Sequence, residues 1–334
     1  MSLALDLPRL ESTLRLPIQD ERQQLLQGLL QPTARIDSKY FYDERGCELF
    51  TDICRLDEYY PTRTEALIFS ENRETIAGHL PDDPQWVDLG CGDCSKTQQW
   101  LNAVDPARVV GVDIAGEFLH SSIADVARDR KSDVARQHPQ LECVGVISDF
   151  TQHLELHDLL AERPDNPPVL FYPGSSIGNF EPRAAMRFLS RIRAHCTSHG
   201  RLLIGADLIK PRAVLEAAYD DACGVTAAFN LNILNVVNRE LDADFQPELF
   251  EHRARFDEDH HRIEMRLVAR ERHSVHLARH TQRQFDAGEH IVTEYSHKYS
   301  VDEFCALLAA SGLHCSHYWT DPQDWFGVFL AEPA

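Results

Sequence analysis

The sequence predicts an α/β protein: a Rossmann-like parallel sheet wound with helices and joined to a second, discontinuous α+β lobe. Three observations carry that prediction. The first is Val87-Asp88-Leu89-Gly90-Cys91-Gly92-Asp93-Cys94-Ser95-Lys96-Thr97, where an apolar strand (Trp86 to Leu89) meets two glycines and then a helix-like segment, Ser95 to Val104. Glycines let the backbone turn tightly there, and a helix start offers unpaired N–H groups to a ligand. The second is a regular succession of apolar runs at 86–89, 108–113, 142–147, 168–172 and 201–207, separated by helix-like stretches near 95–104, 116–130, 153–161 and 183–196. Strands spaced by helices imply a parallel sheet with right-handed crossovers. The third is a change of rhythm after Lys210. Arg262 to Arg270 and His290 to Tyr299 alternate apolar and polar residues like antiparallel strands with one wet face.

In chain order, Glu21 to Leu30 has helical apolar spacing and stops before Pro32. Two aromatic-rich stretches follow, Tyr40-Phe41-Tyr42-Asp43 and Glu58-Tyr59-Tyr60-Pro61-Thr62-Arg63, readable as core aromatics or as a lid over a polar ligand. Thr64 to Ala77 reads as a helix leading into the first sheet strand. Beyond the sheet, Arg212 to Ala222 and Thr226 to Leu241 read as helices, and Asp257 to His261 as a polar hairpin turn. The helix Val301 to Ser311 and the strand Gly327 to Ala331 return to the style of the first lobe. The expected division is 64–209 with 299–334 for the sheet lobe, and 1–63 with 210–298 for the second.

Composition narrows the functional classes. A chain of 334 residues exceeds the length at which one core usually divides. A formal charge of -20 without a basic run argues against nucleic acid. No run approaches the ~20 apolar residues that span a bilayer. The start of the chain lacks a secretory pattern, and nine scattered cysteines read as reduced thiols, so a cytoplasmic protein is expected. Cys91-x-x-Cys94 has no second pair at zinc-like spacing, and the 17 histidines do not converge on a helix face, so no metal is expected.

The glycine turn lacks the third glycine of a dinucleotide fingerprint and the spacing of a phosphate loop. What remains is the pattern of an S-adenosylmethionine pocket. Asp113, ending the strand Arg108 to Val112, would accept ribose hydroxyls, or else cap the next helix. Asp149 and Phe150, after the strand Glu142 to Ile147, would bind and stack an adenine or simply cap. After the fourth strand, Gly174-Ser175-Ser176-Ile177-Gly178-Asn179 leaves backbone groups free, and Asn179 can donate and accept toward an amino acid, or serve as a turn residue.

Tyr42-Asp43, Glu58 to Arg63, Gly174 to Asn179, Tyr219-Asp220-Asp221, Gly224 to Asn230, Val237-Asn238-Arg239-Glu240, Ile263-Glu264-Met265 and Thr293-Glu294-Tyr295-Ser296 closely resemble the histidine-specific Nα-methyltransferase family of ergothioneine biosynthesis. The resemblance covers nearly the whole chain. It implies three methyl transfers to L-histidine, giving trimethylhistidine (hercynine), by an enzyme with no nucleic-acid or membrane partner, and a monomer is expected. By position it places cofactor contacts on Gly90, Lys96, Asp113, Asp149 and Phe150. Substrate contacts fall on Tyr59, Asn179, Tyr219, Glu294 and Ser296. Gly174, Ser176, Phe229 and Met265 would line the pocket, with Tyr42 close by; Tyr42, Gly174 and Asn179 stand nearest the chemistry. Cys91, Asp93 and Cys94 depart from the Ser or Thr often found there in the family, but leave the glycines intact. Glu294 and Met265 match the histidine type rather than the related indole-methylating enzymes. The alternatives are another amino acid or a histidine derivative as substrate, or a non-catalytic scaffold keeping the fold.

Those residue types suit the chemistry. Methyl transfer from a sulfonium is an in-line displacement, so positioning dominates and is worth about 7–11 kcal/mol. The attacking amine must be neutral and needs room, which the Gly174 to Ser176 stretch would leave. Asn179 and Tyr219 would grip the α-carboxylate. Glu294 would accept from an imidazole N–H, and Ser296, on the same strand face, would meet the other nitrogen.

Overall fold

A computed structural model describes residues 8–12, 18–129, 141–278 and 281–334. Chain order runs β1 (Arg9–Ser12), α1 (Ile18–Leu29), β2 (Ala34–Arg35), α2 (Glu44–Ile53), α3 (Tyr60–Ala77), β3 (Gln85–Leu89), α4 (Ser95–Val104), β4 (Arg108–Asp113) and α5 (Gly116–Asp129). It continues through β5 (Glu142–Ile147), α6 (His157–Ala161), β6 (Pro168–Tyr172), α7 (Pro182–His195), β7 (Arg201–Asp207), α8 (Arg212–Tyr219) and α9 (Val225–Leu241). The remainder is β8 (Phe250–Asp257), β9 (Arg262–Ala269), β10 (His273–His276), β11 (Gln282–Phe285), β12 (His290–His297), α10 (Val301–Ala310), β13 (Leu313–Thr320) and β14 (Phe326–Pro333).

Eight strands form one sheet in the order β1-β5-β4-β3-β6-β7-β14-β13. The first six are mutually parallel; β14 runs antiparallel to β7, and β13 antiparallel to β14. The chain winds outward from β3 to β5, then returns to β6 on the other side, which makes β3/β6 the topological switch point. Ligands bind outside the strand C-termini at such a point. Alternate residues bury on opposite faces: Val87, Leu89, Val110, Val112 and Leu170 pack on one side, and Trp86, Val109, Val169 and Phe171 on the other. Burial on both faces is why these strands read as continuous apolar runs.

A four-stranded sheet, β2-β12-β9-β8, carries the second core, into which α1, α2, α8 and α9 pack. Its chain leaves and rejoins the large sheet at one place, since Leu208 bridges Tyr299 in parallel and Tyr299 N–H donates to the Asp207 carbonyl at 3.1 Å.

The structure modifies several expectations. Arg9–Ser12 pairs with β5 in the large sheet, not with the second lobe. Residues 153–156 are irregular rather than helical, and Leu154 and Leu156 both bury at a spacing of two. Helix α8 stops at Tyr219 because the Asp221 carboxylate turns to accept the Val225 and Thr226 N–H groups that start α9. The hairpin turn at 258–261 joins β8 to β9 as expected.

Candidate active site

The loops after β3, β4, β5 and β6 meet at the switch point. Gly90 leaves β3 with φ +74°, and a Cβ there would sit 3.3 Å from the Phe150 ring. That contact and the left-handed backbone both require glycine. Asp113 accepts the Gly92 and Ala115 N–H groups, each at 3.0 Å, so it ties the two loops together and still has acceptor capacity for a diol. Asp149 accepts from Thr151 N–H at 3.2 Å and from the Gln152 amide at 2.9 Å, capping its own turn. Phe150 stands edge-on to Tyr172 at 5.9 Å, partly buried beside the glycine turn. Cys91 and Cys94 are buried in this turn as free thiols.

Lys96 opens α4 and pairs with Glu65 Oε2 at 2.5 Å, while Glu65 Oε1 accepts the Gly174 N–H at 2.6 Å. Glu65, 1% exposed, thereby couples the first loop to the fourth. Sequence reasoning passed over it; its signal is a carboxylate at the apolar face of α3, in line with Pro61, Ile68 and Phe69.

Beside this crevice lies a cavity of about 610 Å³ including its mouth, lined by Tyr42, Tyr59, Gly174, Ser176, Asn179, Tyr219, Phe229, Met265, Glu294 and Ser296 together with Phe50, Thr226 and Asp207. Every residue singled out for substrate therefore borders one space. Of the aromatic stretches, Phe41 and Tyr60 are core, Phe41 stacked on Phe229 at 4.5 Å, while Tyr42 and Tyr59, with Phe50, border the cavity. Asp43 holds that wall in place by capping α2 and accepting from Asn232 on α9 at 2.8 Å. Tyr42 is 44% exposed, at the mouth.

Glu294 and Ser296 share a face of β12, opposite Met265 and Ile263 of β9. Among the described residues no group donates a hydrogen bond to the Glu294 carboxylate, and the Asn179 side-chain amide is likewise unpaired. Burial pushes the Glu294 carboxyl up to about 7, against the opposing pull of Lys298. Tyr219 and Ser296 lie 2.8 Å apart, oxygen to oxygen, and so form one polar unit rather than two separate contacts.

Under that unit lies a cluster that sequence reading left out. Asp207 accepts from Lys298 at 2.7 Å, Lys210 at 2.6 Å and the Tyr60 hydroxyl at 2.7 Å, all of them buried. Burial pushes the Asp207 carboxyl up, but the two lysines outweigh it and hold it below the usual range. Burial pulls Lys210 down to about 8 despite Asp207. For Lys298 the order reverses, and Asp207 with Tyr219 raises it above its ordinary value.

A parallel sheet with its switch point at a glycine turn, an acid ending the next strand, and one reversed strand, β14, inserted between β7 and the edge strand β13 is the architecture of an S-adenosylmethionine-dependent methyltransferase. The crevice fits that cofactor, with close backbone approach at Gly90 and no phosphate cradle. The chain belongs to the S-adenosylmethionine-dependent histidine-specific methyltransferase family, whose model matches residues 21–333. It is 39% identical over 313 residues to the histidine N-alpha-methyltransferase of Mycolicibacterium smegmatis, covering 93% of this chain and 94% of that one. The Mycobacterium tuberculosis protein of the same name is 38% identical over 316 residues, again covering 93% and 94%. Ergothioneine biosynthesis protein 1 of Schizosaccharomyces pombe is 31% identical over 232 residues, 67% of this chain and 29% of that one.

Proposed function

We propose that this chain methylates the α-amine of L-histidine with S-adenosylmethionine, in three successive transfers to trimethylhistidine, the first step of ergothioneine biosynthesis. The observation that carries this reading is the unpaired Glu294 carboxylate sharing a cavity with the unpaired Asn179 amide. A half-buried carboxylate without a donor asks for one from the ligand, and an imidazole N–H supplies it. Asn179 takes the α-carboxylate at the other end, so the two ends fix where the amine points.

Gly90, Asp113, Asp149 and Phe150 would hold the cofactor, with Lys96 steadying the turn through Glu65. When bound it supplies an electrophilic methyl on a sulfonium. The chain's own work is to orient the amine, which must be neutral to attack, and to keep water out with Tyr42, Phe50, Tyr59 and Phe229. Gly174 and Ser176 leave space for added methyls. A cytoplasmic monomer with domains 64–209 plus 299–334 and 1–63 plus 210–298 belongs to the same proposal, less the Arg9–Ser12 strand.

Incubating the protein with histidine and cofactor, followed by mass spectrometry, tests the activity; no mass gain on histidine would refute it. Glu294→Ala should raise the histidine KM about a hundredfold, because a hydrogen-bonding site discriminates by leaving its polar partner unpaired. S-adenosylhomocysteine binding, read by calorimetry, should stay as in the parent.

A further inference from the structure

Lys298 does not line the cavity, yet it holds two residues that do. Its ammonium, completely buried, spends its three donors on Asp207 Oδ2 at 2.7 Å, Tyr219 Oη at 2.9 Å and Ser296 Oγ at 2.7 Å. An ammonium has three donors and no acceptor, so none is left for a ligand. Each hydroxyl therefore gives a lone pair to Lys298. The two hydroxyl oxygens are also bonded to each other, which uses one of their two hydrogens. Whichever hydroxyl donates across that bond, one hydrogen is left over on one oxygen and a single lone pair on the other, and both residues line the cavity.

We propose that Lys298 is a positioning residue for substrate choice: by occupying a lone pair on both hydroxyls, it cuts their spare lone pairs from three to one and biases the Tyr219–Ser296 pair toward donating its spare hydrogen into the cavity. The pair then selects a ligand that brings a lone pair to this place. A neutral imidazole has one N–H and one bare nitrogen, and Glu294 beside Ser296 on β12 takes the N–H. Together the carboxylate and the hydroxyl pair select one neutral tautomer and disfavour an imidazolium, which offers the leftover hydrogen no lone pair and brings a second cation close to the Lys298 ammonium. The inference rests on the reading that Glu294 and Ser296 face the substrate ring. Asp207 fixes Lys298 from behind and also donates its backbone N–H to Ser175 Oγ at 2.8 Å, which links the ring end to the loop at the amine end.

Lys298→Met is the direct test, compared with the parent on L-histidine and on 2-thienyl-L-alanine, whose ring offers no nitrogen. The variant keeps Asp207 paired with Lys210 and Tyr60. Expected are a rise of about tenfold or more in histidine KM, kcat within about threefold, and unchanged S-adenosylhomocysteine binding. The preference for histidine over thienylalanine in kcat/KM should fall by a similar factor. An equal loss on both substrates, or none on histidine, overturns the inference by reducing Lys298 to a structural role. Should the variant fail to fold, ¹⁵N spectra of labelled histidine on the parent protein decide instead. One protonated and one bare, hydrogen-bonded ring nitrogen are expected; two protonated nitrogens overturn it. If the parent neither binds nor methylates histidine, the underlying reading falls and takes this inference with it. If the parent is active and Lys298→Met matches it, only the inference falls.

Discussion

The two ends of the cleft are built by opposite means. At the cofactor end, the crevice is shaped mainly by backbone: the Gly90 turn and the short loops at strand C-termini, two of which Asp113 ties together. At the substrate end it is side chains on α3, α8, α9 and β12, standing over the buried Asp207–Lys210–Lys298 cluster. A backbone site tolerates changes of side chain beside it, as Cys91 and Cys94 illustrate in the turn. A site on buried charges does not, because each charge is balanced by the others.

The largest effect should come from the charged floor. Asp207→Asn removes the counter-ion of two buried lysines, and breaking such a cluster costs about 3–5 kcal/mol. Thermal unfolding should show a marked drop in Tm, with histidine turnover lost. Little change in Tm would put the two ends on the same footing. Gly90→Ala comes next, and it acts on the other end. At φ +74° a Cβ costs about 1–2 kcal/mol in addition to its contact with Phe150. Calorimetry should find S-adenosylhomocysteine bound about tenfold more weakly, with fold stability reduced far less than by Asp207→Asn.

Glu294→Gln sharpens the contrast, because function and stability should move in opposite directions. The folded carboxyl sits at about 7, above its ordinary 4.5. A raised carboxyl stabilises the fold fully only below the unfolded value, and that contribution is lost as pH rises through about 7. Above that pH the charged group costs the fold up to about 3 kcal/mol. The amide should therefore be more stable than the parent at pH 8 and match it near pH 4. Its histidine kcat/KM should be lower, and the decline expected of the parent as pH falls through about 7 should flatten. Equal stability at both pH values would remove the argument that this carboxylate is held ready for a ligand.

The same contrast explains what was legible in the sequence. The cofactor end lies within consecutive strand–loop units, so spacing alone located Gly90, Asp113 and the Asp149–Phe150 pair. The substrate end unites Tyr42, Asn179 and Glu294 from distant stretches, and local periodicity carries no record of that meeting; the resemblance located them. Lys298 and Asp207 escaped because an isolated charge at a strand end looks solvated. Their clue is period two: Glu294, Ser296 and Lys298 fall on one face of the chain. Strand β13 escaped for a different reason. At the sheet edge most of its residues are half-buried or exposed, so no alternation marks it.

The smallest effect should come from the seam between the ends. Gly178 sits in the turn that carries Asn179, against the backbone of β12. A Cβ there would meet the His297 carbonyl oxygen at 2.7 Å and its nitrogen at 3.2 Å. Backbone cannot swing aside, so Gly178→Ala must separate the turn from the strand by several tenths of an ångström. That displacement moves Asn179 relative to Glu294 without touching either. If the substrate is measured by the distance between those two residues, histidine KM should rise about three- to tenfold, since small misplacements cost rate steeply. Cofactor binding should be unaffected, because Gly178 packs on the His297 backbone of β12. Weakened S-adenosylhomocysteine binding instead would mean that the turn belongs to the backbone-built end, and the line between the two ends would have to be redrawn through Gly174.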